Sequence, residues 1–268
     1  MDIFARIKLE KKHKYIILSS VVGFLVFWFA YTPVENMFRV AVLTFVVSLV
    51  GTILTQYPNV TFKNIISIYL LPFHLISGIL LSLLFFPNLS IVFKASAIVA
   101  FSVVYYIVSL VNNVFLVVED KSDTIPLYRA ALTWNQILII IVSIPFYAGI
   151  FKLPINSIYQ NIIITISTAI FCVYSLWAMR YDKDTKPAGR GEKVTLILFV
   201  AFMAFLYGTV AAFFPTESFL RALFVSTALL FGLSYIFGHL KNNITKNLIS
   251  EYIIISVIFF ILLLIFSN

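Results

Sequence analysis

The length, composition and charge of the chain exclude a soluble globular protein. Of its 268 residues, 62% are hydrophobic, 17% are aromatic and only 11% are charged, whereas soluble domains carry roughly 25% charged residues. Apolar runs of about 20 residues, long enough to cross the ~30 Å hydrocarbon core of a bilayer, follow one another with short polar breaks. The sequence therefore predicts an all-α polytopic membrane protein, in which the net charge of +8 is divided between two membrane faces.

The N-terminal residues 1–14 are rich in lysine and arginine and precede the first apolar run, residues 15–31. This order resembles a secretory signal. However, the run ends in Trp28-Phe29-Ala30-Tyr31 and lacks a small-x-small cleavage site. We therefore expect a basic cytoplasmic segment followed by a retained first span.

The apolar runs predict about nine transmembrane helices, which form a single transmembrane domain over residues 15–268. Their approximate bounds are 15–31, 38–56, 64–86, 90–118, 127–151, 157–179, 193–214, 217–239 and 248–267. The fourth run is the longest, and at 1.5 Å per residue it exceeds the thickness of the bilayer. We expect this helix to tilt or to extend into the aqueous phase.

Four of the breaks carry a proline next to polar residues, which is typical of the turn of a helical hairpin. The four prolines are Pro33, Pro87, Pro154 and Pro215. The sequence thus predicts four helical hairpins with Pro-marked outer turns, plus a final helix. Residues 85–87 and 213–215 share the sequence Phe-Phe-Pro, which suggests a parallel internal repeat of four plus four helices. Such matches also arise by chance in a chain this rich in phenylalanine, so both interpretations stay open.

The basic residues predict the orientation of the helices. If the N-terminus is cytoplasmic, fifteen of the 19 Lys and Arg residues fall on the cytoplasmic side and four fall outside. This distribution follows the positive-inside rule. We therefore expect a multi-pass protein of the cell (inner) membrane with its N-terminus in the cytoplasm and its C-terminus outside.

Two outer turns carry an acid and a base four residues apart, the order that favours an ion pair on a helix. The predicted pairs are Glu35 with Arg39 and Glu217 with Arg221. In the first turn, Thr32 also fits the N-cap of a capping box closed by Glu35. These features are explained by helix initiation, and the alternative is that the pairs line the mouth of a site for a polar substrate.

Polar side chains inside the predicted spans mark a candidate polar pocket, because an unpaired polar group is costly in lipid. The candidates are His74, Asn112, Asn113, Asn135 and Gln136. Pro72 lies two residues before the histidine, and it should free a backbone carbonyl one turn earlier. The alternative is that the amides hydrogen-bond neighbouring helices to one another and that the imidazole is neutral and packed.

No phosphate-binding loop, metalloprotease motif or nucleophile elbow occurs, so we expect no catalytic residue, no metal ligand and no cofactor. The single cysteine, Cys172, lies in an apolar run and is expected to be a small buried hydrophobe. Three hypotheses for the function remain. The first is a transporter-like protein that handles small molecules or lipids, and the second is a non-catalytic membrane subunit or scaffold. The third, an enzyme acting on lipid-linked substrates, ranks last because no catalytic constellation is visible.

The expected partners follow from the same hypotheses. Membrane lipids surround any polytopic protein, and the scaffold hypothesis adds other membrane proteins or further copies of the chain. Nothing in the sequence indicates a nucleic-acid site, and we expect none.

Overall fold

The computed structural model describes residues 10–121 and 126–267, and it confirms an all-α polytopic architecture. The secondary structure within these ranges consists of nine helices. Their bounds are α1 Lys11–Tyr31, α2 Val34–Gln56, α3 Ile65–Phe85, α4 Ile91–Lys121, α5 Pro126–Phe151, α6 Ser157–Met179, α7 Arg190–Ala212, α8 Ser218–Leu240 and α9 Lys246–Ile265. Most of the predicted basic segment 1–14 and the C-terminal Asn268 lie outside the described residues.

Eight of the described helices, α1 to α8, are long and apolar enough to cross a membrane. In α9, the apolar stretch among the described residues is Ile249–Ile265. The longest helix is α4, with 31 residues, which corresponds to about 46 Å at 1.5 Å per residue. It exceeds the ~30 Å hydrocarbon core, as the sequence predicts.

The four predicted hairpins are present, and their turns gather at one end of the bundle. Each pair α1–α2, α3–α4, α5–α6 and α7–α8 is in contact. Lys152, in the α5–α6 turn, lies 5.2 Å from the ring centroid of Phe86 and 3.9 Å from the carboxylate of Glu217. Lys94, at the start of α4, lies 5.9 Å from the ring centroid of Tyr31, the last residue of α1 before the α1–α2 turn. We call this the Pro-turn end of the bundle.

The opposite end of the bundle holds the start of α1 and the ends of α2, α4, α6 and α8, and it carries most of the basic residues. We call it the basic end. The α6–α7 loop is fastened there by ion pairs. Asp182 lies 2.7 Å from Lys241 and Asp184 lies 3.0 Å from Arg129. The Asp182 side chain is only 4% exposed, so its pairing matters more than that of a solvated surface ion pair. The loop is therefore anchored to α5 and to the end of α8.

Helix α5 lies at the centre of the bundle and contacts α3, α4, α6 and α8. The contact with α3 is close because Gly78 has no side chain. A Cβ at that position would lie 3.0 Å from the backbone nitrogen of Phe146. A small residue lets two helix backbones approach in lipid, where packing and hydrogen bonds, not hydrophobic exclusion, drive association.

The capping box predicted at the start of α2 is wrong. The helix begins at Val34, its N-cap is Pro33, and no side chain caps it. The hydroxyl of Thr32 instead donates a hydrogen bond of 2.8 Å to the carbonyl of Trp28. Since Thr and Ser hydroxyls readily bond to a carbonyl four residues earlier, Thr32 stabilises the last turn of α1 and is not free to cap α2.

Candidate functional site

His74 is buried within a cage of aromatic rings near the middle of α3. Its ring centroid lies 4.8 Å from that of Phe146 and 4.6 Å from that of Phe171. Its Nδ1 lies 2.7 Å from the carbonyl oxygen of Leu70. A carbonyl oxygen can only accept a hydrogen bond, so Nδ1 carries a proton in this contact. With Nε2 unprotonated, the imidazole is then neutral. The packed histidine is one of the two alternatives that the sequence left open.

Asn112 completes the hydrogen bonding that Pro72 interrupts. In an uninterrupted helix, the carbonyl of Ile68 would accept from the N–H of residue 72, and proline has none. The Asn112 amide of α4 donates to that carbonyl at 3.0 Å. Its oxygen accepts a hydrogen bond of 2.8 Å from the hydroxyl of Tyr174 in α6. One amide thus joins three helices, which is the structural role of an intramembrane asparagine.

Asn135 differs from Asn112 because it is fully buried and unpaired. Its exposed fraction is 0%, and neither its Oδ1 nor its Nδ2 has a hydrogen-bond partner in the part of the chain that the structure describes. The Oδ1 of Asn113 is also unpaired among those residues. Buried polar groups without a partner are rare in folded proteins and destabilise them.

Gln136 lies apart from the other candidates and faces a small polar cavity at the basic end. The cavity has a volume of about 240 Å³ and is also lined by Ser234, Lys241 and Tyr252. The Ser234 hydroxyl donates to that of Tyr252 at 2.7 Å, and Lys241 is held by Asp182. Ser234 and Tyr252 are therefore bonded to each other, and Lys241 is paired with a residue outside the cavity.

The five predicted pocket residues are thus distributed over several environments. His74 is enclosed by rings, Asn112 links α3, α4 and α6, and Gln136 faces the small cavity next to α8 and α9. A single polar pocket that joins all five stays a prediction.

The acid–base pairs predicted at the Pro-turn end have other neighbours. Glu217 lies 3.9 Å from Lys152, and the Arg221 guanidinium donates to the carbonyl of Thr216 at 3.1 Å. Glu35 and Arg39 are both exposed, and no ion pair joins them in the described ranges. Glu217 thus contacts the α5–α6 turn and Arg221 its own turn, and both interpretations of the predicted pairs stay predictions.

Two open spaces among the described residues lie along α2, where it faces α3. Toward the Pro-turn end, a chamber of about 530 Å³ lies between Ala41 and Phe45 of α2 and Ser77 and Leu80 of α3, with Phe146 of α5 at its back. Almost its entire lining is apolar. We call it the Pro-turn chamber.

A second chamber continues along the same two helices toward the basic end. It has a volume of about 500 Å³ and lies between Leu49 and Ile53 of α2 and Ile66 and Tyr69 of α3, and the α2–α3 loop closes one end. We call it the basic-end chamber. Both volumes fall within the ~300–1,000 Å³ that is usual for ligand pockets.

Three aromatic residues form a neck between the two chambers. Phe73 lines both of them, and its ring centroid lies 5.1 Å from that of Phe45. The Tyr69 hydroxyl donates to the carbonyl of Phe45 at 2.8 Å. The chambers and the neck together form one groove, which we call the α2–α3 groove.

The adjacent face of α2 is bonded to α1 and α4 by polar side chains that the sequence analysis did not single out. Buried hydroxyl and amide residues recur every fourth position along α2, namely Thr44, Ser48, Thr52 and Gln56. The Tyr105 hydroxyl of α4 lies 2.8 Å from that of Ser48. Gln56 accepts from the Tyr15 hydroxyl at 3.1 Å and donates to the Ser109 carbonyl at 3.0 Å. We call these four residues of α2 the polar seam. Their spacing of four residues was the sequence signal that could have revealed it.

Comparison with known protein families, with curated proteins and with solved structures finds no match to this chain. Among the described residues, no group of His, Cys, Asp or Glu is arranged to hold a metal ion. The lining of the α2–α3 groove is almost entirely apolar.

Proposed function

We propose that this protein handles membrane lipids and that the α2–α3 groove binds their apolar chains. The observation that carries the proposal is the pair of apolar chambers, of about 500 and 530 Å³, that meet at Phe73. The groove runs along α2 from Met37 to Tyr57, a distance of about 30 Å at 1.5 Å per residue. It is therefore as long as the hydrocarbon core is thick.

The lining of the groove favours an apolar ligand over a polar one. A site for a polar metabolite combines apolar walls with a few convergent polar groups. The polar atoms in the groove are few, and the Tyr69 hydroxyl is already bonded to Phe45. The same lining disfavours the passage of a charged headgroup past the neck. The proposal is therefore the holding or presentation of lipid chains, and it does not include flipping of headgroups between leaflets.

The contrast with the second half of the chain supports a dedicated groove. Helices α6 and α7 occupy the positions that correspond to α2 and α3 in the predicted four-plus-four repeat. They pack far more closely, so that a Cβ at Gly208 would lie 2.7 Å from the Asn161 side chain. If the repeat exists, the groove is located where the two halves differ.

The test is photo-crosslinking by a phospholipid that carries a diazirine on its acyl chain, with the protein in lipid nanodiscs and the adducts mapped by mass spectrometry. We expect groove residues such as Leu80 and Ile53 to be labelled more than lipid-exposed residues of α4 such as Val99. Ala41→Trp should fill the Pro-turn chamber and remove its adducts, since Ala41 lines that chamber. Ala100→Trp, on the exposed face of α4, is the matched control and should leave them unchanged. Equal labelling of the groove and of α4 would refute the proposal.

The scaffold hypothesis is the second candidate, and Asn112 favours it. An amide that joins α3, α4 and α6 has a structural role in helix packing. A scaffold could present the same groove to a transmembrane helix of a partner protein. In that case, the groove would be labelled by the partner and not by lipid when the protein is crosslinked in its native membrane.

A further inference from the structure

We propose that the basic-end chamber selects an anionic phospholipid and that Lys63 binds the phosphate of its headgroup. The inference rests on the proposed function and adds the chemical class of the lipid. It starts from the position of the chamber, whose lining includes Tyr57, Thr61 and Phe62 of the α2–α3 loop. A chain in this chamber therefore has its headgroup at the basic end of the bundle.

Two exposed aromatic residues indicate that this loop lies at the level of lipid headgroups. Phe62 is 100% exposed and Tyr57 is 70% exposed, although both line the chamber. Aromatic side chains are enriched at the boundary between hydrocarbon and water. The opening of the chamber is thus flanked by groups that lie at this boundary.

The charge next to the opening is positive and available. Lys63 directly follows Phe62, is exposed, and forms no ion pair within the described ranges. Lys14 precedes Tyr15, whose hydroxyl bonds to Gln56 at the end of α2, so a second lysine begins α1 at about the same level. Lys14 also forms no ion pair among the described residues.

Three basic residues elsewhere at this end are engaged. Arg180 pairs with Glu119, Arg129 with Asp184, and Lys241 with Asp182. Lys63, which directly follows a residue of the chamber lining, has no such partner among the described residues. Basic side chains at a membrane surface attract anionic headgroups, whereas a zwitterionic headgroup offers no net charge. Charge complementarity therefore identifies the occupant as an anionic phospholipid and not a zwitterionic one.

The experiment is a titration of the purified full-length protein with phosphatidylglycerol and phosphatidylcholine that have the same chains, followed by native mass spectrometry of the retained lipid. We expect the wild-type protein to retain phosphatidylglycerol about fivefold more tightly, the effect of one lysine near an anionic headgroup. Lys63→Gln should remove most of this preference, and Lys63→Arg should keep it. Lys193→Gln is the matched control, since Lys193 is also an exposed, unpaired lysine at the basic end but belongs to α7.

The outcomes separate this inference from the proposed function. Equal retention of both lipids, or a preference that survives Lys63→Gln, would overturn the headgroup inference and leave the lipid groove standing. If neither lipid is retained by the wild-type protein, both proposals fail. Ile53→Trp, which should fill the basic-end chamber, is expected to lower the retention of both lipids alike. Retention unaffected by this variant would show that the lipids bind elsewhere and would also overturn the inference.

Discussion

The two buried asparagines of the predicted pocket should respond in opposite ways to the same substitution. Leucine matches asparagine in branching and in its number of side-chain heavy atoms, but it has no polar group. In Asn112→Leu, the Ile68 carbonyl and the Tyr174 hydroxyl lose their partner. In Asn135→Leu, no hydrogen bond among the described residues is lost, because the amide makes none.

The magnitudes follow from the cost of leaving buried polar groups unpaired, which is about 1–3 kcal/mol for each group. Asn112→Leu leaves two such groups without a hydrogen-bond partner, so we expect the free energy of unfolding to fall by about 2 kcal/mol or more. Asn135→Leu removes an unpaired amide, so the free energy of unfolding should rise by up to about 2 kcal/mol, less any strain from the larger methyl groups. Asn135→Ala cannot overpack and therefore separates the two contributions.

The assay is equilibrium unfolding of the purified protein in mixed micelles of increasing sodium dodecyl sulfate content, followed by circular dichroism. The reasoning is refuted if Asn135→Leu and Asn135→Ala are both destabilised as strongly as Asn112→Leu. That result would mean that Asn135 binds a partner on which folding depends, and it would restore the polar-pocket hypothesis for this residue.

Two further predictions concern helix contacts. Tyr105→Phe removes the hydroxyl that bonds to Ser48 and Thr52. Since hydrogen bonds between membrane helices average about 0.6 kcal/mol each, this variant should lower the free energy of unfolding by about 1 kcal/mol. An unchanged free energy in the same unfolding assay would show that the polar seam does not hold α2. Gly78→Val should separate α3 from α5 and lower the yield and the melting temperature of the protein. Gly191→Ala is the control and should have little effect, because a Cβ at that position has nothing within 4 Å. Equal losses in the two variants would contradict a specific close contact at Gly78.

The sequence was sufficient to predict the features that depend on local chemistry. The hairpins are confirmed because a proline beside polar residues ends one helix and begins the next, whatever the rest of the chain does. The loss of a carbonyl partner at Pro72 was also predictable, since it follows from the covalent structure of proline. The residue that replaces the partner, Asn112, could not be identified, because it comes from another helix.

Identical residue types in the predicted pocket proved to have different environments. Asn112, Asn113 and Asn135 look alike in the sequence, and only the packing of α3 to α6 makes one of them a link between helices. Thr32 likewise fits two roles, and the carbonyl of Trp28 competes for its hydroxyl more effectively than the start of α2 does. Local patterns give the available hydrogen-bonding groups, and the tertiary structure selects the partner.

The α2–α3 groove was not predictable for a related reason, and the same reason explains why it can exist. In water, two apolar helices with a gap between them would close it to exclude solvent. In a bilayer, lipid chains solvate an apolar surface as well as another helix does, so helices stay together only where hydrogen bonds or close packing hold them. Helix α2 has such bonds toward α1 and α4, through Gln56 and Ser48, whereas toward α3 the described residues form the bond of Tyr69 to Phe45. A helix fastened along one edge leaves its neighbouring face open to lipid at little energetic cost.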